Sequence, residues 1–208
     1  MSVVGIIATM NKIAKILIAL GILVGLVALG RGFLYSPNND SGLPVDAAVI
    51  SSTPVGSTSV AGYPARLQIP KLGIDAEVQH VGVTKTGNMA APNNFTDVSW
   101  YKFGTIPGHT GSAVMAGHED NAISLDGVFK HLEDLEVGDD VYVIDHNRKK
   151  LHFKVIAEEI YPYDKGPLER IFNTTDGTYL NLITCTGDWL ASAKTNDKRL
   201  VIYTKLVE

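Results

Sequence analysis

The hydrophobic positions of this chain change character between its start and the remainder. Residues 16–30 form an uninterrupted apolar run, ILIALGILVGLVALG, flanked by Lys15 and Arg31. Because lysine and arginine can place their charged ends at a membrane surface, these flanks extend the run towards the roughly 20 residues that a helix needs to cross a bilayer. The pattern predicts an N-terminal transmembrane helix within residues 1–35.

After Tyr63, short apolar runs alternate with turn residues, which is typical of β-strands. In residues 151–155, apolar and polar side chains alternate with a period of two, as in a strand with one buried face. Residues 128–135 and 168–172 have the pattern of short helices. Many short strands with little helix predict an all-β barrel or sandwich. The predicted strands are residues 66–69, 76–83, 113–116, 141–145, 151–160, 178–184 and 200–206.

The segment between these two regions, residues 36–62, is rich in serine, proline, glycine and asparagine and contains no basic residue. This composition is typical of a flexible linker. We therefore predict three parts: a cytoplasmic start and membrane anchor at residues 1–35, a flexible stalk at residues 36–62 and a β domain at residues 63–208.

The composition excludes several classes of protein. Of the 208 residues, 45% are hydrophobic and 19% are charged, which excludes a disordered chain. The formal net charge of −4 provides no electrostatic basis for binding nucleic acid. A single cysteine excludes an internal disulfide, a CxxC redox pair and a cysteine-rich zinc site.

The distribution of charge predicts how the chain is oriented in the membrane. Lys12 and Lys15 precede the apolar run, residues 1–35 contain no acidic residue, and the acidic excess follows. The positive-inside rule then places the N-terminus in the cytoplasm and the β domain outside the cell. The alternative is a cleaved signal peptide with a small-x-small site at residues 28–30, which exports the same domain. We favour the retained anchor.

The single cysteine, Cys185, follows the apolar residues 179–184 and precedes the turn-forming residues 186–188. A thiol at the end of a strand is accessible and can act as a nucleophile. The alternative is a buried cysteine that packs as a small hydrophobe, which is common for a free cysteine. The residues alone leave both interpretations open.

His118 has a similar setting, because it follows the apolar run of residues 113–116 and Gly117. An imidazole there could take the proton of a thiol and return it to a leaving amine. His109 is the competing candidate, but its glycine neighbours predict a mobile turn. The other histidines are predicted to be solvated or structural: His80, His131, His146 and His152.

Arg199 opens the last apolar run, residues 200–203, after a polar loop that begins near Cys185. A guanidinium at the edge of that strand could donate hydrogen bonds to an oxyanion or to a substrate carbonyl. The alternative is an arginine on a solvated face beside Asp197 and Lys198.

These motifs, taken in order, resemble the sortases, which are cysteine transpeptidases of the bacterial cell surface. Gly117-His118 is followed by the residues LITC at 182–185 and then by Arg199 before a terminal apolar strand. Residues 66–78, RLQIPKLGIDAEV, resemble the opening strands of the family, and residues 113–120, AVMAGHED, resemble its histidine segment.

Within the family, class F is the most similar. The resemblance rests on the Gly-His-x-Asp pattern at residues 117–120, on Trp100-Tyr101 and on Pro107-Gly108. The chain departs from class F after the cysteine, where it has Thr-Gly-Asp-Trp and class F usually has Gly-Gly. The sequence from Arg199 looks more like the end of other sortase classes.

The resemblance implies an eight-stranded β-barrel with no cofactor. It implies that Cys185 attacks an LPxTG-like sorting signal, that His118 protonates the leaving amine, that Arg199 positions the substrate and stabilises the oxyanion, and that Thr184 binds substrate. The implied partners are surface proteins with a C-terminal LPxTG-like signal and an amine acceptor on a cell-wall precursor or pilin, with no nucleic acid.

Three other functions remain possible from the residues alone. A hydrolase could use the same residues with water as the acceptor, and an extracellular binding barrel would need no nucleophile. A metal site at His118, Glu119 and Asp120 is disfavoured, because adjacent side chains on an extended strand cannot all face one ion, and the chain has no HExxH motif. A structural calcium ion among the loop acids stays open.

Overall fold

The computed structural model describes residues 40–44, 62–120 and 126–207. Within these ranges the strands are β1 (Asp40–Pro44), β2 (Pro64–Ile69), β3 (Ile74–Val81), β4 (Asn88–Ala90), β5 (Val98–Tyr101), β6 (Gly111–Ala116), β7 (Asp140–Asp145), β8 (Lys150–Pro162), β9 (Thr178–Leu190) and β10 (Thr195–Leu206). One short α-helix, α1 (Leu168–Phe172), and two 3₁₀ turns, Pro70–Leu72 and Leu132–Asp134, complete the described elements.

Eight of these strands close into a barrel in the order β10-β8-β7-β2-β3-β5-β6-β9. The neighbours β3 and β5, and likewise β6 and β9, run parallel, whereas the other neighbouring pairs are antiparallel. The eight-stranded closed barrel that the resemblance implied is therefore confirmed. The barrel order places β6, β9 and β10 side by side, and these strands carry the candidate chemistry.

The strand β6 and the central parts of β9 and β10, residues 180–184 and 199–204, are buried on both faces, which explains their mainly apolar sequences. One face of these strands lines the barrel interior, where Leu182 and Leu200 pack in the main core. The other face carries Ile183 and Val201, which belong to a second apolar cluster. Helix α1 covers that outer face with Ile171 and Phe172, and Met89 and Tyr101 also belong to the cluster.

The predicted ends of the last two strands are wrong. β9 continues to Leu190, five residues beyond Cys185, and β10 begins at Thr195, before Arg199. Residues 186–198 therefore form a hairpin arm with a register shift between Asn196 and Lys198. The arm is mostly exposed or half-buried, so it has no apolar alternation from which a strand could be recognised.

The two predicted helices have different outcomes. Residues 168–172 form α1 as predicted. The predicted helix at residues 128–135 is wrong, because turns and the 3₁₀ segment Leu132–Asp134 occupy this region. Phe129, Leu132 and Leu135 still point into the main core, so the apolar spacing reported their burial correctly but not the type of turn.

The predicted transmembrane helix and most of the predicted stalk lie outside the described residues. Of the stalk, residues 40–44 form β1, which pairs with β4 through partners such as Asp40 and Ala90. A search of the described part of the chain finds no helix with the length and hydropathy needed to cross a membrane.

The main core predicts how the domain responds to truncation of a buried ring. Phe153 is fully buried, so Phe153→Ala should lower the free energy of unfolding by about 3–5 kcal/mol, measured by urea titration. Val137 is 72% exposed, and Val137→Ala should change the free energy of unfolding by less than about 0.5 kcal/mol. Equal effects of the two substitutions would contradict this description of the core.

Candidate active site

The three residues predicted to be catalytic come from three neighbouring strands. Cys185 on β9 is the cross-strand partner of Arg199 on β10. On the other side of β9, Ala116 of β6 is aligned with Ile183, and the amide of Gly117 donates to the carbonyl of Ile183 at 3.1 Å. His118 therefore leaves β6 beside the position of Cys185.

The alternation of side chains along β9 and β10 puts Cys185 and Arg199 on the same face. Ile183 and Val201 belong to the outer cluster under α1. Cys185 lies two residues after Ile183, Arg199 lies two residues before Val201, and His118 lies two residues after Ala116, which also belongs to that cluster. Since successive side chains of a strand alternate between faces, Cys185 and Arg199 are directed to the outer face at one end of the barrel, and His118 follows the end of the neighbouring strand β6.

Cys185 is half-buried at this end of the barrel. Burial raises the pKa of its thiol, and the charge of Arg199 and a hydrogen bond with the side chain of Thr195 oppose the shift only in part. The carboxylates of Glu119 and Asp120 raise this pKa further. The resting sulfur at neutral pH is therefore a protonated thiol.

Arg199 is fully buried, so the prediction of an arginine on a solvated face is wrong. Its Nη1 donates to the carbonyl oxygens of Asn196 and Lys198 at 3.0 and 2.8 Å, and its Nη2 donates to Oγ1 of Thr195 at 2.6 Å. The acceptors all belong to the β10 side of the hairpin arm, residues 195–198. This arm therefore fixes the guanidinium beside Cys185.

The imidazole of His118 is held by a loop that follows β4. Its Nε2 lies 2.9 Å from the carbonyl oxygen of Pro92, and the ring of Phe95 lies 4.9 Å from the imidazole centroid. Burial lowers the pKa of His118, although the Pro92 carbonyl and the charge of Asp120 partly oppose the shift. The ring is therefore neutral at neutral pH.

Thr184 is buried and links the two parallel strands at the site. Its Oγ1 donates to the carbonyl oxygen of Gly117 at 2.9 Å. Gly117 has no space for a side chain, since a Cβ there would lie 2.6 Å from both Val128 and Phe129. The structure thus gives Thr184 a contact that positions the segment of His118, and its role in substrate binding stays a prediction.

His109 lies away from these residues, because it precedes the first residue of β6, Gly111, whereas His118 follows the last. The sequence analysis considered Glu119 only as a metal ligand, whereas its carboxylate lies 3.5 Å from Nζ of Lys130. Burial raises the pKa of Glu119. Within the described residues, no group of three or more His, Cys, Asp or Glu side chains could hold a metal ion.

Comparison with known proteins connects this geometry to a family. The family model described as "Sortase domain" matches residues 67–207. A search of curated proteins found no match.

Solved structures of low sequence identity share the fold. Sortase A from Corynebacterium diphtheriae has a TM-score of 0.56 at 20% identity over 72% of this chain and 63% of its own, so the chain spans less than two thirds of that protein. Sortase C from Streptococcus pneumoniae has a TM-score of 0.55 at 15% identity over 77% of each chain. A sortase D5 transpeptidase from Clostridium perfringens has a TM-score of 0.52 at 17% identity over 70% and 79%.

The link between Thr184 and Gly117 predicts a loss of stability. Thr184→Val keeps the shape of the side chain but leaves the buried Gly117 carbonyl without this donor, and it should lower the free energy of unfolding by about 1–3 kcal/mol. Thr174 donates a similar but exposed bond to Arg170, so Thr174→Val is the matched control. Urea titration measures the free energy of unfolding of both variants. Equal losses would show that the buried Thr184 bond stabilises the domain no more than the exposed Thr174 bond does.

Proposed function

The chain belongs to the sortase family of cysteine transpeptidases, and from that premise we propose that it cleaves an LPxTG-like sorting signal and transfers the protein to an amine. The proposed substrates are surface proteins with this signal, and the proposed acceptor is an amine on a cell-wall precursor or pilin. Within the family we propose class F, from the residues Trp100-Tyr101, Pro107-Gly108 and the Gly-His-x-Asp pattern.

The observation that carries the proposal is the cross-strand pairing of Cys185 with Arg199 next to the end of β6, where His118 begins. A thiol and a guanidinium on one face, with an imidazole just after the end of the neighbouring strand, are the groups that acyl transfer to sulfur requires. Each of them lies at the rim of the barrel on a rigid strand or directly after one. This arrangement supports the proposal that Cys185 is the nucleophile, His118 the acid-base group and Arg199 the oxyanion donor.

We propose that the first half of the reaction forms a thioacyl-enzyme. The thiol proton of Cys185 moves to the imidazole of His118 as the sulfur attacks the carbonyl carbon of the sorting signal. The carbon–nitrogen bond then breaks, and the imidazolium returns the proton to the leaving amine. Charge that develops on the substrate oxygen is stabilised by the guanidinium of Arg199, whose orientation is fixed by the hairpin arm.

The second half of the proposed reaction transfers the acyl group from sulfur to an incoming amine. That amine loses a proton to His118 as its nitrogen bonds to the carbonyl carbon, and the sulfur of Cys185 leaves and is protonated again. A bound and oriented amine can compete with water, because holding the two reactants in place can supply roughly 7–11 kcal/mol of the activation barrier. Hydrolysis is the outcome when water takes the place of the amine.

We also propose that residues 1–35 anchor the protein in the cell membrane, with the catalytic domain outside. Enzyme and substrate confined to one surface meet at a higher effective concentration. The anchor is inferred from the apolar run and from the charges around it.

Substitutions at the site test the proposed roles. We expect Cys185→Ala and His118→Ala in the full chain to abolish cleavage of a fluorogenic LPxTG peptide, whereas His109→Ala should keep it. Arg199→Lys retains the charge but loses the planar guanidinium with its fixed N–H donors, so most of kcat/KM should disappear. Product analysis with and without an added amine separates transfer from hydrolysis. Full activity of Cys185→Ala would reject the enzyme in favour of a binding barrel.

The pKa directions predict a bell-shaped dependence of kcat/KM on pH. Activity is lost below the pKa of His118, where no base remains, and above the pKa of Cys185, where no proton remains for the leaving amine. The pKa of His118 is lowered from 6.5 and that of Cys185 is raised from 9.0, so the plateau should span at least pH 6.5–9.0. Glu119→Gln is the control. The charge of Glu119 acts on the pKa of Cys185, so this variant should leave the loss of activity at low pH, which His118 sets, unchanged. A plateau narrower than this range would contradict the assignment.

A further inference from the structure

We propose that Nδ1 is the nitrogen of His118 that exchanges the proton during catalysis, because two segments hold the ring in a single tautomer. These segments are residues 92–95 and residues 127–130, and we call them the collar. The inference rests on the proposed function for the identity of the reaction, but the tautomer itself can be measured without substrate.

The carbonyl of Pro92 selects the tautomer. A carbonyl oxygen can only accept a hydrogen bond, so Nε2 of His118, at 2.9 Å from it, must carry the hydrogen. In the neutral ring, which burial favours, Nδ1 then carries the lone pair. The backbone carbonyl thus performs the orienting task that a carboxylate performs for the histidine of a catalytic triad.

The first segment of the collar is fixed to the barrel by a side chain of β3. Nε2 of Gln79 donates to Oδ1 of Asn93 and to Oδ2 of Asp97, both at 2.8 Å. Its Oε1 accepts from the amide of Asn93 at 3.1 Å. Since Asn93 follows Pro92 directly, Gln79 holds the carbonyl that faces the imidazole. Phe95, in the same loop, packs its ring against that of His118.

The second segment of the collar fixes the backbone of the histidine. The amide of Phe129 donates to the carbonyl of His118 at 2.9 Å, and the amide of Gly127 donates to the carbonyl of Glu119 at 2.8 Å. The amide of Val128 donates to the carbonyl of Phe95 at 2.8 Å, which joins the two segments. The imidazole and its own backbone are therefore held by one connected set of bonds.

Gly127 is required for this close approach. A Cβ at Gly127 would lie 2.3 Å from the carbonyl oxygen of His118, so a side chain there displaces the histidine backbone. Gly82 offers a matched comparison, because its Cβ would meet the ring of Phe103 at 3.1 Å and Cε of Lys102 at 3.7 Å, and Phe103 is 49% exposed and able to move. Gly127 and Gln79 are accordingly positioning residues that act through His118.

The tautomer is tested directly by long-range ¹H–¹⁵N correlation of the imidazole groups in the ¹⁵N-labelled full chain. The signals of His118 are identified by their loss in His118→Gln. Above the pKa of His118 we expect a protonated Nε2 and an unprotonated Nδ1. A neutral ring that carries its hydrogen on Nδ1, or an equal mixture of tautomers, would overturn the inference. The result is independent of any peptide cleavage, so it separates this inference from the proposed function.

The role of the collar is tested by Gly127→Ala against Gly82→Ala in the full chain. We expect Gly127→Ala to lower kcat/KM about tenfold to a hundredfold, because small displacements of a catalytic group have effects of that size, and to mix the tautomers of His118. Gly82→Ala should change neither. Should Gly127→Ala not fold, Gln79→Leu serves in its place with the same two readouts. A folded variant with an unchanged tautomer and unchanged kcat/KM would show that the collar does not position the ring.

Discussion

The register of β9 against its two neighbours determines the site. β9 pairs in parallel with β6 and antiparallel with β10, so one strand sets Cys185 beside both the end of β6 and Arg199. A slip of one residue would turn the cysteine to the opposite face. The apolar side chains on both faces prevent such a slip, since it would exchange Leu182 of the barrel core with Ile183 of the outer cluster.

The same burial that fixes the register also sets the charge state of the reacting groups. The outer cluster under α1 ends where Cys185 and His118 begin, so both side chains lie at the border of an apolar region. Burial raises the pKa of the thiol and lowers that of the imidazole, and both shifts favour the neutral form. The charge of Arg199 lowers the pKa of the thiol, but burial has the larger effect, so the sulfur stays protonated beside a fully buried guanidinium.

The sequence predicted the parts of the structure that depend on local pattern. The apolar runs around residues 113–116 and 178–184 are long enough to identify β6 and β9, and Gly117 marks the end of β6 before the imidazole. The turn-forming residues after Cys185 mark no strand end, because β9 continues through them to Leu190. The hairpin arm was not predictable in this way, because it has no buried face. The burial of Arg199 was missed because its acceptors include backbone carbonyls of the arm. The contact of Pro92 with His118 leaves no side-chain signal and joins residues 26 positions apart.

A neutral resting pair has a physical advantage for an enzyme with one cysteine and no partner thiol. Oxidants and other electrophiles react with the thiolate, so a raised thiol pKa slows such reactions while no substrate is bound. Glu119 and Asp120 add to this protection, because their charges disfavour the thiolate. In the proposed reaction, a substrate carbonyl beside Arg199 changes the balance, since negative charge can move from sulfur to an oxygen that the guanidinium stabilises. The proposed nucleophile is then generated where the substrate is bound.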